Sequence, residues 1–143
     1  NIKFDNKFIH RSKLLEYFLN KVSKEKVEKD TNDLLKKIKK NKKYTFSTKD
    51  IILLDSLKSD GIKISRKYDK LYESNPNIPP DIQAKIQNEE IAMVLLRIVE
   101  IIGEDELENI GTESLYFIIS ILNQLDMDKL RNRMLIKILP LKV

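Results

Sequence analysis

Residues 91–102 form the most apolar stretch of the sequence, IAMVLLRIVEII, and only Arg97 and Glu100 interrupt it. A helix that is apolar on nearly all sides has to be enclosed by other protein segments. The stretch is also too short to cross a bilayer as a helix, which takes about 20 apolar residues. We therefore predict a central core helix that the rest of the chain covers, and no transmembrane segment.

The composition indicates an all-α domain with a highly charged surface. Apolar residues make up 41% and charged residues 34% of the 143 positions, a balance typical of folded globular chains. Only three glycines and four prolines occur, fewer than a turn-rich β-protein needs. At this length roughly 68–70% of the unfolded surface can be buried, so the fold requires no disulfide or metal.

Apolar residues recur at helical spacing along the first half of the chain. The pattern predicts a helix near residues 10–22 and a second one that Ser23 caps and that ends at about Lys40. Ser47 and Asp50 are spaced as a capping pair for a third helix, which the Asp60-Gly61 pair stops. Ser65 is positioned to cap a further helix that continues to about residue 73.

A proline-rich segment, SNPNIPPD at residues 74–81, is the clearest break in the chain. It predicts two subdomains, a basic one at residues 1–75 and an apolar one at residues 76–143 around the core helix. In the second, Thr112 is predicted to cap one helix and Asp126 to start the next, whose inward residues are Leu130, Met134 and Ile138. This order predicts stacked helical hairpins that resemble a short α-solenoid in architecture, without a recognisable repeat consensus.

The basic residues are concentrated in the first half of the chain. Residues 1–75 carry 20 basic and 11 acidic side chains, whereas residues 76–143 carry 7 and 11. The densest run, KKIKKNKK, contains six lysines: Lys36, Lys37, Lys39, Lys40, Lys42 and Lys43. One interpretation is a solvated helix end, because the helix dipole favours cations there. The other is a patch for phosphate or anionic lipid, with nuclear import as a minor variant.

The residues that catalysis usually requires are scarce. Cysteine is absent and His10 is the only imidazole, which excludes thiolate nucleophiles and multi-histidine metal sites. The three glycines are isolated, so they form no glycine-rich phosphate loop. Acidic residues cluster at 104–108, but their spacing matches no calcium loop and suits a helix N-terminus. We therefore expect no enzymatic activity, no metal and no cofactor.

Residues 50–72 have the helix, turn and helix order of a DNA-binding helix-turn-helix, with Arg66, Lys67 and Lys70 in the second helix. Packing in that motif usually requires a small residue before the turn glycine and an apolar residue after it. This chain has Leu57 and Lys67 at those two positions. The pattern therefore disfavours a helix-turn-helix.

We expect a non-catalytic helical interaction or scaffold domain that binds another protein or self-associates. The expectation depends on the surplus of apolar helix surface, since apolar faces that the core does not use are offered to partners. Four apolar residues are candidates for such contacts: Phe117, Ile121, Leu141 and Val143. The sequence starts at Asn1 without methionine, which favours the C-terminal part of a longer polypeptide. The absence of cysteine leaves the compartment open.

The alternative function is binding of nucleic acid or an anionic surface through the basic run at residues 36–43. Such binding would weaken steeply with salt, because phosphates that are neutralised release counterions. Lysine outnumbers arginine and the tyrosines fit a packing stripe, two features that argue against base stacking. AT-rich coding sequence also favours lysine codons, which would raise the lysine count without any ligand.

Overall fold

The protein is all-α, as the sequence predicts. The computed structural model describes residues 14–41, 44, 46–72, 90, 93 and 111–139, and no strand occurs within them. The elements in this part of the chain are α1 (Leu14–Phe18), α2 (Lys24–Lys39), α3 (Thr48–Ser59), a 3₁₀ turn (Arg66–Tyr68), α4 (Asp69–Tyr72), α5 (Thr112–Gln124) and α6 (Asp128–Ile138). None of these helices has both the length and the apolarity that a bilayer crossing requires.

The starts of α2 and α3 confirm the predicted caps. The Ser23 hydroxyl accepts a hydrogen bond from the backbone N–H of Lys26 at 3.2 Å. Ahead of α3, the Ser47 hydroxyl accepts from the N–H of Asp50 at 3.2 Å, and Asp50 Oδ2 accepts from the N–H of Ser47 at 3.0 Å. This reciprocal capping box satisfies backbone donors that have no partner inside the helix.

Three helices end at a residue in the left-handed conformation: Asn20 (φ 59°) after α1, Gly61 (φ 85°) after α3 and Asp126 (φ 55°) after α5. The N–H of the next residue then donates to a carbonyl in the last helical turn: Lys21 to Glu16, Ile62 to Leu57, and Met127 to Leu122. This is the Schellman motif, which pairs carbonyls that the helix leaves without a donor. The predicted stop at Asp60-Gly61 is thereby confirmed.

At Asn20 and Asp126 the helix boundaries differ from those that the sequence pattern predicts. Helix α1 ends at Phe18, earlier than the predicted residue 22, because Asn20 turns the chain. Asp126 was predicted to start the last helix, and this prediction is wrong: Asp126 closes α5, and α6 begins at Asp128. Asparagine and aspartate adopt this conformation more readily than most residues because their short polar side chains bond locally.

Most of the described helices share one hydrophobic core. Helix α3 packs against α5, α5 against α6, and α1 against both α2 and α6. The buried apolar residues of this core extend from Leu14 in α1 to Leu139 after α6. Helices from both predicted subdomains thus contribute to it, while the division at residues 75 and 76 and the solenoid-like stacking stay predictions.

The predicted core helix at 91–102 lies outside the described residues, except for Met93. Met93 is helical, and its side chain is 54% exposed. The proline-rich segment at 74–81 also lies outside the described part. The described core is therefore formed by α1, α2, α3, α5 and α6.

Candidate anion-binding surface

At the C-terminal end of α2, the apolar side chains face the core and the basic side chains face solvent. Leu34, Leu35 and Ile38 are buried, whereas the lysines on either side of Ile38 are all exposed: Lys36, Lys37, Lys39 and Lys40. None of the four forms an ion pair with any residue that the structure describes. These four predicted lysines are thus available to solvent or to a ligand, while Lys42 and Lys43 lie outside the described residues.

A segment of extended chain after α3 is fastened to α2 by two side chains. Glu28 Oε1 accepts a hydrogen bond from the N–H of Lys63 at 2.7 Å. Asn32, one turn further along α2, donates to the Lys63 carbonyl at 3.0 Å and accepts from the N–H of Ser65 at 2.9 Å. Side chains of α2 therefore pair three backbone groups at residues 63–65, and this positions the start of the 3₁₀ turn.

Ser65 stands at the predicted cap position, but its side chain makes no capping hydrogen bond. Its N–H is instead held by Asn32. Sequence reasoning missed this attachment because Glu28 and Asn32 look like ordinary surface residues of a charged helix. Their spacing of one helical turn was the available signal.

The attachment brings two basic segments of the chain together at Tyr68. The ring of Tyr68 is 3% exposed and packs with Leu35 and Leu54. Lys39 Nζ from α2 lies 5.9 Å from the ring centroid, and Lys67 Nζ from the 3₁₀ turn lies 5.1 Å from it. Both ammonium groups are close enough to the ring for cation–π attraction.

We call the exposed cations of residues 36–40 and 66–70 the Tyr68 basic surface. Its members are Lys36, Lys37, Lys39, Lys40, Arg66, Lys67 and Lys70. Sequence reasoning identified the α2 lysines as one patch and considered the other three only as part of a helix-turn-helix. The packing of the 3₁₀ turn against α2 brings Lys67 to the same ring as Lys39.

Two described carboxylates lie within or next to these segments in the sequence. Asp69 is partly neutralised by Lys58, whose Nζ lies 3.8 Å from Asp69 Oδ1. The same ammonium group lies 4.6 Å from the centroid of the Tyr72 ring. Asp33 is exposed one turn before the α2 lysines. The carboxylates are outnumbered, so the surface keeps a positive charge.

A second polar cluster lies inside the protein, centred on Arg131 of α6. The Arg131 side chain is fully buried. Its Nη1 lies 2.7 Å from Asp60 Oδ1, and its Nη2 donates to Asp60 Oδ2 at 2.8 Å. Asn123 and Asn132 accept further hydrogen bonds from the guanidinium, and the Tyr17 hydroxyl donates to Asp60 Oδ2 at 2.8 Å. The cluster links α1, the end of α3, α5 and α6.

The guanidinium of Arg131 is satisfied by its own chain, so the cluster has the character of a structural connection and not of a ligand site. A buried arginine that is paired with a carboxylate and donates to additional acceptors is the arrangement that offsets desolvation best. The sequence contained a signal for it: Arg131 precedes Met134, Leu135 and Ile138 at the spacing of one helix face. That face is buried, and it carries Arg131 into the core.

Tyr17 is expected to lose its proton later than an exposed tyrosine. Burial, followed by the hydrogen bond to Asp60 and the charge of that carboxylate, raises the pKa of Tyr17 from 10.0 to about 12. Because the folded chain keeps a proton that the unfolded chain releases, this contribution to stability is complete below pH 10.0 and is lost as the pH rises through about 12. Alkaline titration of tyrosinate absorbance, compared between the natural chain and Tyr17→Phe, measures the difference. If the Tyr17→Phe variant lacks a tyrosine that titrates with a midpoint near 10.0 in the natural chain, the expectation is contradicted.

The predicted partner-facing apolar residues are placed differently from one another. Ile121 is 1% exposed within the core, so it packs inside this fold. Phe117 is half-buried and packs against the same core. Leu141 and Val143 lie outside the described residues, as do His10 and the acidic cluster at 104–108. Within the described ranges no group of three or more carboxylate or histidine side chains is arranged to hold a metal ion.

The chain matches no protein-family model, no curated protein and no solved structure. Its function therefore has to be inferred from the physical chemistry of its surfaces. Of the two polar clusters, only the Tyr68 basic surface faces solvent.

Proposed function

We propose that this chain is a non-catalytic helical interaction domain that binds a negatively charged partner through the Tyr68 basic surface. The observation that carries the proposal is the position of Lys39 and Lys67, which come from separate segments and lie beside one buried ring. Like charges that are brought together repel each other, and an anionic ligand relieves that repulsion. The ring supports the pair by cation–π attraction.

The helix dipole accounts for only one part of this surface. Lys36 and Lys40 stand at the C-terminal end of α2, where the dipole favours cations. Arg66 and Lys67 lie in a three-residue 3₁₀ turn, which is too short for a helix dipole to account for their position. A bias of the genome towards lysine codons would raise the number of lysines but would not select where they converge. Binding of an anion explains both segments.

An apolar docking face has weaker support than the basic surface. Ile121 belongs to the core, and Phe117 packs against it. The exposed large apolar residues in the described part of the chain are Leu19 and Met93, and neither lies in a basic segment. The proposal therefore assigns partner binding to charge.

The test is the salt concentration at which the protein elutes from a polyanion column. We expect Lys39→Glu combined with Lys67→Glu to lower that concentration markedly, because the substitutions place two carboxylates at the centre of the surface. The matched control combines Lys129→Glu with Lys137→Glu, two exposed lysines of α6. Both variants lower the net charge equally. A difference between their elution positions therefore reports where on the protein the charges lie.

Equal shifts for the two variants would show that net charge alone governs retention, and the proposal would then be abandoned. All four lysines are exposed, so the two α6 substitutions should each change the free energy of unfolding by no more than about 0.5 kcal/mol. Lys39→Glu and Lys67→Glu each also lose a cation–π contact with Tyr68, at a cost of about 0.5–1 kcal/mol. Thermal unfolding of both variants checks that the comparison is made between folded proteins.

A further inference from the structure

We infer that the anionic partner is a nucleic-acid duplex held through its phosphates, an inference that rests on the proposed function. The first observation is that the tyrosine rings next to these cations are covered by other side chains. Tyr68 and Tyr72 are both buried, and Lys58, Lys39 and Lys67 lie beside their rings. A ring that is covered in this way has no face on which a nucleobase can stack.

Of the other aromatic residues that the structure describes, Phe18 is buried, and the rest are half-buried and pack against the hydrophobic core. Phe46 packs against the Tyr72 ring, with 5.9 Å between the ring centroids. Proteins that bind single strands combine a basic groove with exposed aromatic side chains, and stacking supplies much of their affinity. Among the residues that the structure describes, the Tyr68 basic surface has the charges of such a site but no fully exposed aromatic side chain.

A duplex suits a surface of this kind because its bases are already stacked on each other. It also presents one negative charge per roughly 1.7 Å of axis, about twice the density along the axis of one of its strands. Contacts to phosphate position a protein on the duplex without reading its sequence. Six of the seven members of the surface are lysines, which act as point charges and lack the planar fork with which arginine recognises guanine.

Anionic membranes are the competing partner, and the burial pattern of α2 argues against them. Helices that lie in a membrane interface insert an apolar face into the lipid. In α2 the apolar side, with Val27, Leu34, Leu35 and Ile38, is buried in protein. The exposed apolar residues Leu19 and Met93 lie outside the two basic segments. A membrane would therefore contact this surface through charge alone, without the inserted apolar face that strengthens binding to an interface.

The inference predicts the strength and the salt dependence of binding. Non-specific binding to duplexes typically has a Kd of about 10⁻⁴–10⁻⁶ M at physiological salt. If about six of the cations contact phosphates, the slope of log K against log salt is about −5. Lys39→Glu with Lys67→Glu should reduce the magnitude of that slope by about 2, whereas the α6 control variant should leave it unchanged.

Fluorescence anisotropy with the full chain tests this directly. The probes are a labelled DNA duplex of about 20 base pairs, an RNA duplex of the same sequence and one of the DNA strands alone, compared at equal phosphate concentration at low salt. Vesicles containing phosphatidylserine form the fourth arm. We expect at least one duplex to bind about tenfold or more tightly than the single strand, with little change when the duplex sequence is permuted.

Two results would overturn the inference while leaving the proposed function intact. One is a single strand that binds as tightly as both duplexes, and the other is binding to vesicles without binding to either duplex. Absence of binding to all four probes, together with no retention on a polyanion column, would instead reject the proposed function itself.

Discussion

Arg131→Met is expected to lower the free energy of unfolding by about 3–5 kcal/mol. The substitution leaves the Asp60 carboxylate, whose side chain is 9% exposed, without the guanidinium that lies 2.7 Å away. It also removes the hydrogen bonds that the side-chain oxygens of Asn123 and Asn132 accept from Arg131. Domains of this size are stable by about 5–15 kcal/mol, so the loss should be large in urea unfolding.

Arg133→Met is the matched control for this experiment. Arg133 lies in the same helix but is exposed, so its substitution should change the free energy of unfolding by no more than about 0.5 kcal/mol. Combining Arg131→Met with Asp60→Asn removes both charges and should recover part of the loss, since the buried unpaired charge causes most of it. Equal stability of the Arg131 and Arg133 variants would refute the structural role of the cluster.

Leu53→Ala is expected to cost about 2–5 kcal/mol, because it removes apolar contacts and leaves a cavity in the core. Leu53 is fully buried in the cluster to which α3 and α5 both contribute. Ile118→Ala, on the α5 side of that cluster, should have a similar effect. Since α3 and α5 pack directly, we expect both substitutions to shift the same single unfolding transition.

Leu19→Ala serves as the control, because Leu19 is 40% exposed and its truncation leaves no buried cavity. The experiment also tests the division into subdomains at residues 1–75 and 76–143. Two transitions, with Leu53→Ala affecting one and Ile118→Ala affecting the other, would support that division. A single transition that both substitutions shift would favour one cooperative unit.

Local sequence was sufficient to predict the fold class and several helix boundaries. The capping box of Ser47 and Asp50, the Ser23 cap and the stop at Gly61 each depend on residues within a few positions. The boundary at Asp126 was wrong because aspartate is compatible with both a helix start and a left-handed stop. The bond from Met127 to Leu122 makes it a stop.

About half of the candidate site could be predicted in the same way. Exposure of the α2 lysines follows from helical periodicity, which directs Leu34, Leu35 and Ile38 inward and the intervening cations outward. The convergence of Lys39 with Lys67 could not be predicted. It depends on hydrogen bonds that the Glu28 and Asn32 side chains form with a backbone segment more than 30 positions away in the sequence.

The sequence by itself therefore determined where helices form, which faces are apolar and how many charges the surface carries, because these properties depend on neighbouring residues. Only the tertiary structure decided that Arg131 is buried against Asp60 and that two basic segments meet at Tyr68. A charged side chain enters a core, or approaches another cation, only where partners distant in sequence offset the cost. Those partners come together only when the helices pack.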